Sequence, residues 1–262
     1  MGVDLNKVQE QAPHLVNLVK QTGVVLSKKG LDPNRYKAAV VGTLDFSGSA
    51  RDLYADGTMQ EVADLGFAAG LVLDDDGEVP FSLFDNRVTD LGEINLGNCK
   101  GFVDRATRGK SMGSTDYVSA LRWIIDQAGY GHVNLGSTGG GGRRGLFGRG
   151  QANPALSVKA TAQYPTLALF VTDGEPNRGT EDAIEELLKL MSQLPIFVQF
   201  IGVGHHRFEF LQELDEMDGR LIDNANFFDA KDAGHDQERM LELMLVEFPD
   251  YYAKAKQQGL LS

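Results

Sequence analysis

Oxygen-bearing side chains are spaced two residues apart at the end of an apolar run near the start of the chain. The run 38–44 has the composition of a buried strand, and Asp45, Ser47 and Ser49 follow it. On an extended backbone, alternate residues point to the same side, so a carboxylate and two hydroxyls can converge on one point. Small, hard divalent cations prefer oxygen ligands of this kind. The spacing therefore predicts a metal site at the end of the first strand.

Two later segments supply matching oxygen ligands. One segment, 113–116, contains a threonine, and the other follows a second apolar run at 166–170 and contains an aspartate. A site with several hydroxyls and few carboxylates leaves room for water, so Mg²⁺ fits it better than Ca²⁺, with Mn²⁺ or Ca²⁺ as substitutes. Alternatively, the serines cap a turn and the aspartates cap helices, but this does not explain three matching segments. The predicted metal ligands are Asp45, Ser47, Ser49, Thr115 and Asp173, with no catalytic residue and no organic cofactor site.

These segments resemble a known family. An Asp-x-Ser-x-Ser segment, a distant threonine and a distant aspartate make up the metal-ion-dependent adhesion site of the von Willebrand factor A (VWA) domain. The chain is further similar to the A-type domain of bacterial tellurium-resistance (Ter) stress proteins in segments 44–49, 53–57, 74–77, 83–85, 113–117 and 170–177. The resemblance covers about residues 5–250. It implies a VWA fold in which the strands at 38–45 and 166–172 are neighbours, so that Asp45 and Asp173 face one cleft.

The function that this resemblance implies is non-catalytic. It is that of a Mg²⁺-dependent protein-binding domain in a tellurium-resistance and stress-response system, with a partner protein supplying an Asp or Glu carboxylate to the metal. Neutral hydroxyl ligands leave the ion electrophilic enough to favour such a ligand. Two alternatives remain open: a metal-dependent phosphoester hydrolase, in which the ion activates water, and an RNA-associated scaffold. The hydrolase lacks a second aspartate two residues from Asp45, where Ser47 stands instead.

Composition limits the remaining function classes. The 262 residues include 25 Lys and Arg against 37 Asp and Glu, for a net charge of −12. We therefore expect no DNA binding, and the acidity also disfavours RNA. The single Cys99 cannot form an internal disulfide, which fits the reducing cytoplasm where we expect the protein. No apolar stretch is long enough for a membrane span, and the first residues lack a signal-peptide pattern.

Apolar strand candidates alternate with helical patterns along the chain. Strands are predicted at 38–45, 79–84, 166–172, 196–202 and 225–229, and helices at 4–28, 58–71, 116–129, 181–193, 207–217 and 236–256. This alternation predicts an α/β fold, with a Rossmann-like open, mostly parallel sheet and helices on both faces. We expect one domain over 1–262, with an edge strand at about 99–104. The Gly/Arg-rich loop at about 136–150 should be flexible, because glycine loses the most backbone entropy on ordering.

Other polar residues near the predicted ligands allow two interpretations. In one interpretation, Asp116 and Glu175 both hold metal-bound water. In the other, Asp116 begins a helix and Glu175 lies in a turn. His205 and His206 are adjacent, so in an extended loop they point apart and do not predict a zinc site without a third ligand.

Overall fold

Six strands form one sheet in the computed structural model, which describes residues 4–132, 161–234 and 236–262. The strands are β1 (Ala39–Asp45), β2 (Val79–Phe84), β3 (Val88–Ile94), β4 (Thr166–Thr172), β5 (Ile196–Gly202) and β6 (Ala225–Asp229). Their order in the sheet is β3-β2-β1-β4-β5-β6. Only β3 pairs in the antiparallel sense, with β2. The predicted mostly parallel sheet is therefore confirmed.

Helices cover both faces of this sheet. They are α1 (Leu5–Gln11), α2 (Val16–Lys28), α3 (Arg51–Ala55), α4 (Thr58–Leu73), α5 (Phe102–Thr107), α6 (Tyr117–Gln127), α7 (Glu181–Met191), α8 (Glu209–Asp215), α9 (Gln237–Met244) and α10 (Phe248–Gln257). Alternate residues of β4 enter two separate buried clusters. Leu167 and Leu169 belong to the cluster that includes residues of α2 and α4, and Ala168 and Phe170 belong to the cluster that includes residues of α6 and α7. Burial on both faces explains why the central strands read as continuous apolar runs.

Two predicted helices are each divided in the structure. The helix predicted at 4–28 is wrong as one element, because α1 ends at Gln11 and a 3₁₀ turn over Pro13–Leu15 precedes α2. The helix predicted at 236–256 likewise becomes α9 and α10, with Pro249 in the first turn of α10. Proline has no N–H, and its ring collides with the preceding turn, so a helix begins at proline more readily than it continues through it.

The edge strand predicted at about 99–104 is also wrong. Cys99, Phe102 and Val103 are buried, and the last two begin α5. Phe102 and Val103 lie three and four residues after Cys99, which is the spacing of residues on one face of a helix. Residues on one face of a strand are two apart. The edge strand next to β2 is instead β3, whose polar residues concealed it in the sequence.

Two further predictions concern the Gly/Arg-rich loop and membrane-spanning segments. The Gly/Arg-rich loop at 136–150 lies outside the described residues. Among the residues that the structure describes, no helix is both long and apolar enough to cross a bilayer.

Candidate functional site

The two predicted carboxylate ligands lie at one edge of the sheet, on neighbouring strands. β1 and β4 are parallel, with Leu44 opposite Val171, so Asp45 ends one strand and Asp173 follows the other. Parallel strands present their carboxyl ends at the same edge, which is where ligands bind in open α/β sheets. Both side chains are buried, with 0% of Asp45 and 2% of Asp173 exposed.

Asp45 is held by hydrogen bonds to both of its carboxylate oxygens. Oδ1 accepts the backbone N–H of Ser47 at 2.8 Å, and Oδ2 accepts the hydroxyl of Thr172 at 2.7 Å. The first bond fixes the turn that follows β1, and the second joins β1 to β4. The carboxylate therefore has a fixed orientation, with one lone pair on each oxygen still available to a further donor or cation.

Three other predicted ligands form a chain of contacts, in which the Ser47 hydroxyl lies between Asp173 and Ser49. The Ser47 hydroxyl donates to Oδ1 of Asp173 at 3.2 Å and lies 3.0 Å from the Ser49 hydroxyl. Ser47 is buried, whereas Ser49 is exposed at the mouth of the site. The Ser49 hydroxyl is placed by the turn at residues 48–50 rather than by an extended backbone, and it joins the carboxylates through the Ser47 hydroxyl.

Thr115 reaches the same edge through its backbone. Its N–H donates to Oδ1 of Asn177 at 3.2 Å, and its carbonyl accepts the N–H of Asn177 at 3.0 Å. Gly113, two residues before Thr115, pairs with the turn after β1, because its N–H donates to Phe46 O and its carbonyl accepts Gly48 N–H. Within the described residues, no hydrogen bond joins the Thr115 hydroxyl to the other four predicted ligands. The structure places this loop beside the site but leaves the hydroxyl free.

The electrostatics of the site follow from burial. Removal from water raises the pKa of Asp45 to about 7. Repulsion from the neighbouring Asp173 carboxylate also raises this pKa, whereas the hydrogen bonds from Thr172 and Ser47 lower it. Among the described residues, no Lys, Arg or His side chain forms an ion pair with either carboxylate. Buried carboxylates without a cation are unfavourable, so this site is deficient in positive charge.

The donor set fits a hard divalent cation. It combines two carboxylates with neutral hydroxyls, and a cation would compensate the buried charge that no side chain compensates. In the described ranges, no group of three or more His, Cys, Asp or Glu side chains is arranged to hold a metal ion. The hydroxyls of Ser47, Ser49 and Thr115 are therefore needed for a complete ligand set.

Sequence reasoning assigned no role to three residues that hold the site together. Thr172 anchors Asp45, and the hydroxyl of the fully buried Tyr117 lies 3.0 Å from the Thr172 hydroxyl and donates to Gly174 O. Asn177 binds both backbone groups of Thr115. Two signals in the sequence could have found them: each residue lies within four residues of a predicted ligand, and each lies in segment 113–117 or 170–177, which carry the family resemblance.

The flanking carboxylates have structural partners. Asp116 caps α6 by accepting the N–H of Ser119 at 3.2 Å and its hydroxyl at 2.6 Å, as the helix-start interpretation predicted. Glu175 accepts the N–H of Phe210 at 3.4 Å, near the start of α8. His205 and His206 are exposed in the loop after β5.

Comparisons with known proteins show the family. The vWA-TerF-like family, described as the vWA found in the TerF C terminus, matches residues 37–135 and 154–261, so the chain belongs to it. The chain is 28% identical over 250 residues to the uncharacterized protein YcbR of Bacillus subtilis, covering 92% of this chain and 88% of YcbR. It is 30% identical over 102 residues to Copine-E of Dictyostelium discoideum, covering 36% of this chain and 17% of Copine-E.

A solved structure shows the same fold. Proximal thread matrix protein 1 from the mussel byssus, in a structure with a zinc-occupied MIDAS motif, superposes with a TM-score of 0.50 and 16% identity. The match covers 80% of this chain but only 47% of the mussel protein, so this chain spans about half of that protein's length. The predicted VWA fold is confirmed.

Proposed function

We propose that this member of the vWA-TerF-like family is a non-catalytic domain that binds Mg²⁺ and, through it, a carboxylate of a partner protein. The ligands are Asp45, Ser47, Ser49, Thr115 and Asp173. The observation that supports this most strongly is the burial of two adjacent carboxylates, 0% and 2% exposed, with which no Lys, Arg or His side chain of the described part of the chain forms an ion pair. When bound, a divalent ion supplies positive charge that offsets this burial and an open coordination position for an anionic ligand.

The residues of the chain determine which part of the site stays open. Asp45 is fixed from β1 and β4, and Ser47 contacts Asp173, so these groups define the buried side of the site. Ser49 is exposed, and the Thr115 hydroxyl is free of hydrogen bonds to them within the described residues. A partner carboxylate therefore approaches from the side of Ser49 and Thr115.

A binding role is favoured over hydrolysis by the same contacts. Hydrogen bonds from Ser47 N–H and the Thr172 hydroxyl fix the orientation of the Asp45 carboxylate and leave one lone pair on each oxygen for a cation, which suits a metal ligand. The family description, the vWA found in the TerF C terminus, supports a role in a tellurium-resistance system. The zinc-occupied MIDAS motif of the mussel protein supports a metal at the corresponding position of this fold.

Calorimetric titration of the metal-free chain with Mg²⁺ tests the metal site. We expect binding to the wild type and a loss of at least about tenfold in affinity for Ser47→Ala, because each tenfold loss corresponds to about 1.4 kcal/mol and a lost ligand costs more. Ser27→Ala is the matched control, since this exposed serine on α2 donates to Gly23 O and lies in another part of the fold. Equal affinities for Ser47→Ala and wild type would show that the site is assigned wrongly.

Capture of partners from native extract tests the second half of the proposal. Partners should be retained with Mg²⁺ and released by chelator. Thr115→Ala should weaken partner capture more than Mg²⁺ binding, because Thr115 lies on the open side of the site. Retention that persists fully in chelator would contradict capture through the metal.

A further inference from the structure

Exposed cations lie next to residues that build the candidate metal centre. Arg51 lies two residues after Ser49 at the start of α3. Arg87 follows Asn86, whose side-chain oxygen accepts the N–H of Ser114 at 2.5 Å. The arginines thus extend from the turns that hold the first two ligand segments.

Two further cationic segments border the same edge. Arg178 follows Asn177, the residue that binds the backbone of Thr115. Residues 205–207, with the sequence His-His-Arg, follow Gly204, which has a φ of +86° and lies so close to the site that a Cβ there would be 3.8 Å from Asp173 Cβ. Arg51, Arg87, Arg178 and residues 205–207 form what we call the cationic rim, and all of them are exposed.

The arginines of the rim are available to a partner. Among the described residues, Arg51, Arg87 and Arg178 form no ion pair, and Arg207 only approaches Glu209 at 3.9 Å, with side chains 90% and 74% exposed. Four acids in the same loops are instead bound to backbone N–H groups. Each of these acids accepts such a bond: Asp56 from Thr58, Asp85 from Arg87, Asp116 from Ser119 and Glu175 from Phe210.

We propose that the cationic rim binds an acidic protein segment carrying several Asp or Glu residues, one of which reaches the metal. This inference rests on the proposed function and specifies the partner as polyacidic rather than as the carrier of one carboxylate. Charges at the rim of an interface chiefly accelerate association and make it salt-dependent. The net charge of −12 repels a long polyanion beyond the rim, which favours a short acidic segment over RNA.

Association kinetics of a labelled peptide of alternating Glu and Gly test the rim. The rim variant carries Arg51→Gln, Arg87→Gln and Arg178→Gln. The matched control carries Lys7→Gln, Lys20→Gln and Arg35→Gln, which removes the same charge from exposed positions on α1, α2 and the segment before β1. With Mg²⁺ at low salt, we expect the rim variant to associate about tenfold more slowly and with a weaker salt dependence, and the control to associate like the wild type.

The arms of the experiment separate this inference from the metal proposal. If the peptide binds equally in Mg²⁺ and chelator while the rim variant remains slow, the rim is supported and the metal role fails. Equal association rates for rim and control variants would overturn the rim. A peptide with a single Glu that binds as tightly as the alternating peptide would overturn the polyacidic partner, as would an RNA oligonucleotide that binds more tightly in a rim-dependent way.

Discussion

Replacing Asp45 with asparagine removes one of the two buried carboxylates of the candidate metal centre while keeping the shape of the side chain. The amide oxygen can accept the N–H of Ser47, as Oδ1 does at 2.8 Å. The amide N–H₂ can donate to the Thr172 hydroxyl, which then turns its own hydrogen to Gly174 O at 3.3 Å. The hydrogen bonds around the site are therefore conserved, and the variant differs from the wild type chiefly in charge.

The expected gain in stability follows from the pKa of Asp45. This pKa is about 7 in the folded chain, against an unperturbed value of 3.8, because desolvation and then the Asp173 charge disfavour ionisation. The folded state thus binds the proton more tightly, and stability is lost as pH rises from the unfolded to the folded pKa. One pKa unit corresponds to about 1.4 kcal/mol, so ionised Asp45 destabilises the metal-free fold by about 4 kcal/mol above pH 7.

Urea unfolding in chelator measures this effect. Asp45→Asn should be more stable than the wild type at about pH 8, and its advantage should shrink by about 3 kcal/mol at about pH 4.5, where folded Asp45 is protonated. Saturating Mg²⁺, at about 100 times its Kd, should then stabilise the wild type by about 2.7 kcal/mol but leave the variant nearly unchanged. Asp218→Asn, in an exposed loop, is the control. If Asp45→Asn is less stable than the wild type at about pH 8 in chelator, the ionised Asp45 carboxylate does not destabilise the metal-free fold.

Four further substitutions test contacts around the site, in the core and on α2. Thr172→Val should lower the free energy of unfolding by about 1–3 kcal/mol by removing the hydroxyl bonded to the first ligand carboxylate, and an unchanged urea midpoint would contradict this. Asn177→Ala should weaken Mg²⁺ binding in calorimetry by loosening the threonine ligand loop, an expectation that fails if the affinity stays the same. Gly42→Ala should destabilise the fold by about 1–3 kcal/mol, since its Cβ would lie 2.2 Å from the Phe81 ring. Gly23→Ala, on α2 with no atom within 4 Å of the added Cβ, should instead stabilise it by about 0.5–1 kcal/mol.

The parts of the fold that the sequence predicts are those with a strong local signal. β1 and β4 are buried on both faces, so each is a short apolar run that ends in a ligand. The extended backbone of β1 explains why an oxygen ligand ends the strand at Asp45, whereas Ser49 reaches Ser47 through the turn at residues 48–50, which the spacing alone does not predict.

The parts that sequence reasoning missed depend on contacts across the fold. The bond from Thr172 to Asp45 joins residues 127 positions apart, and nothing local to Thr172 announces it. β3 is an exposed edge strand, and its polar residues give no apolar alternation. The helix break near residue 13 did have a local signal, namely Pro13 itself. The prediction of one continuous helix gave more weight to the helical spacing of the neighbouring apolar residues, and it was wrong.

The same long separation affects when the site forms during folding. β1 pairs with β4 from Ala39 opposite Thr166 onward, so the two carboxylates meet only after a long loop has closed. Closing such a loop costs chain entropy before the paired strands repay it, and parallel pairing of distant strands is slow for this reason. During synthesis, the segment up to β3 leaves the ribosome without the strand that completes the centre. Metal capture is therefore expected to report arrival at the native state, and a metal that binds only that state slows its unfolding without guiding the chain toward it.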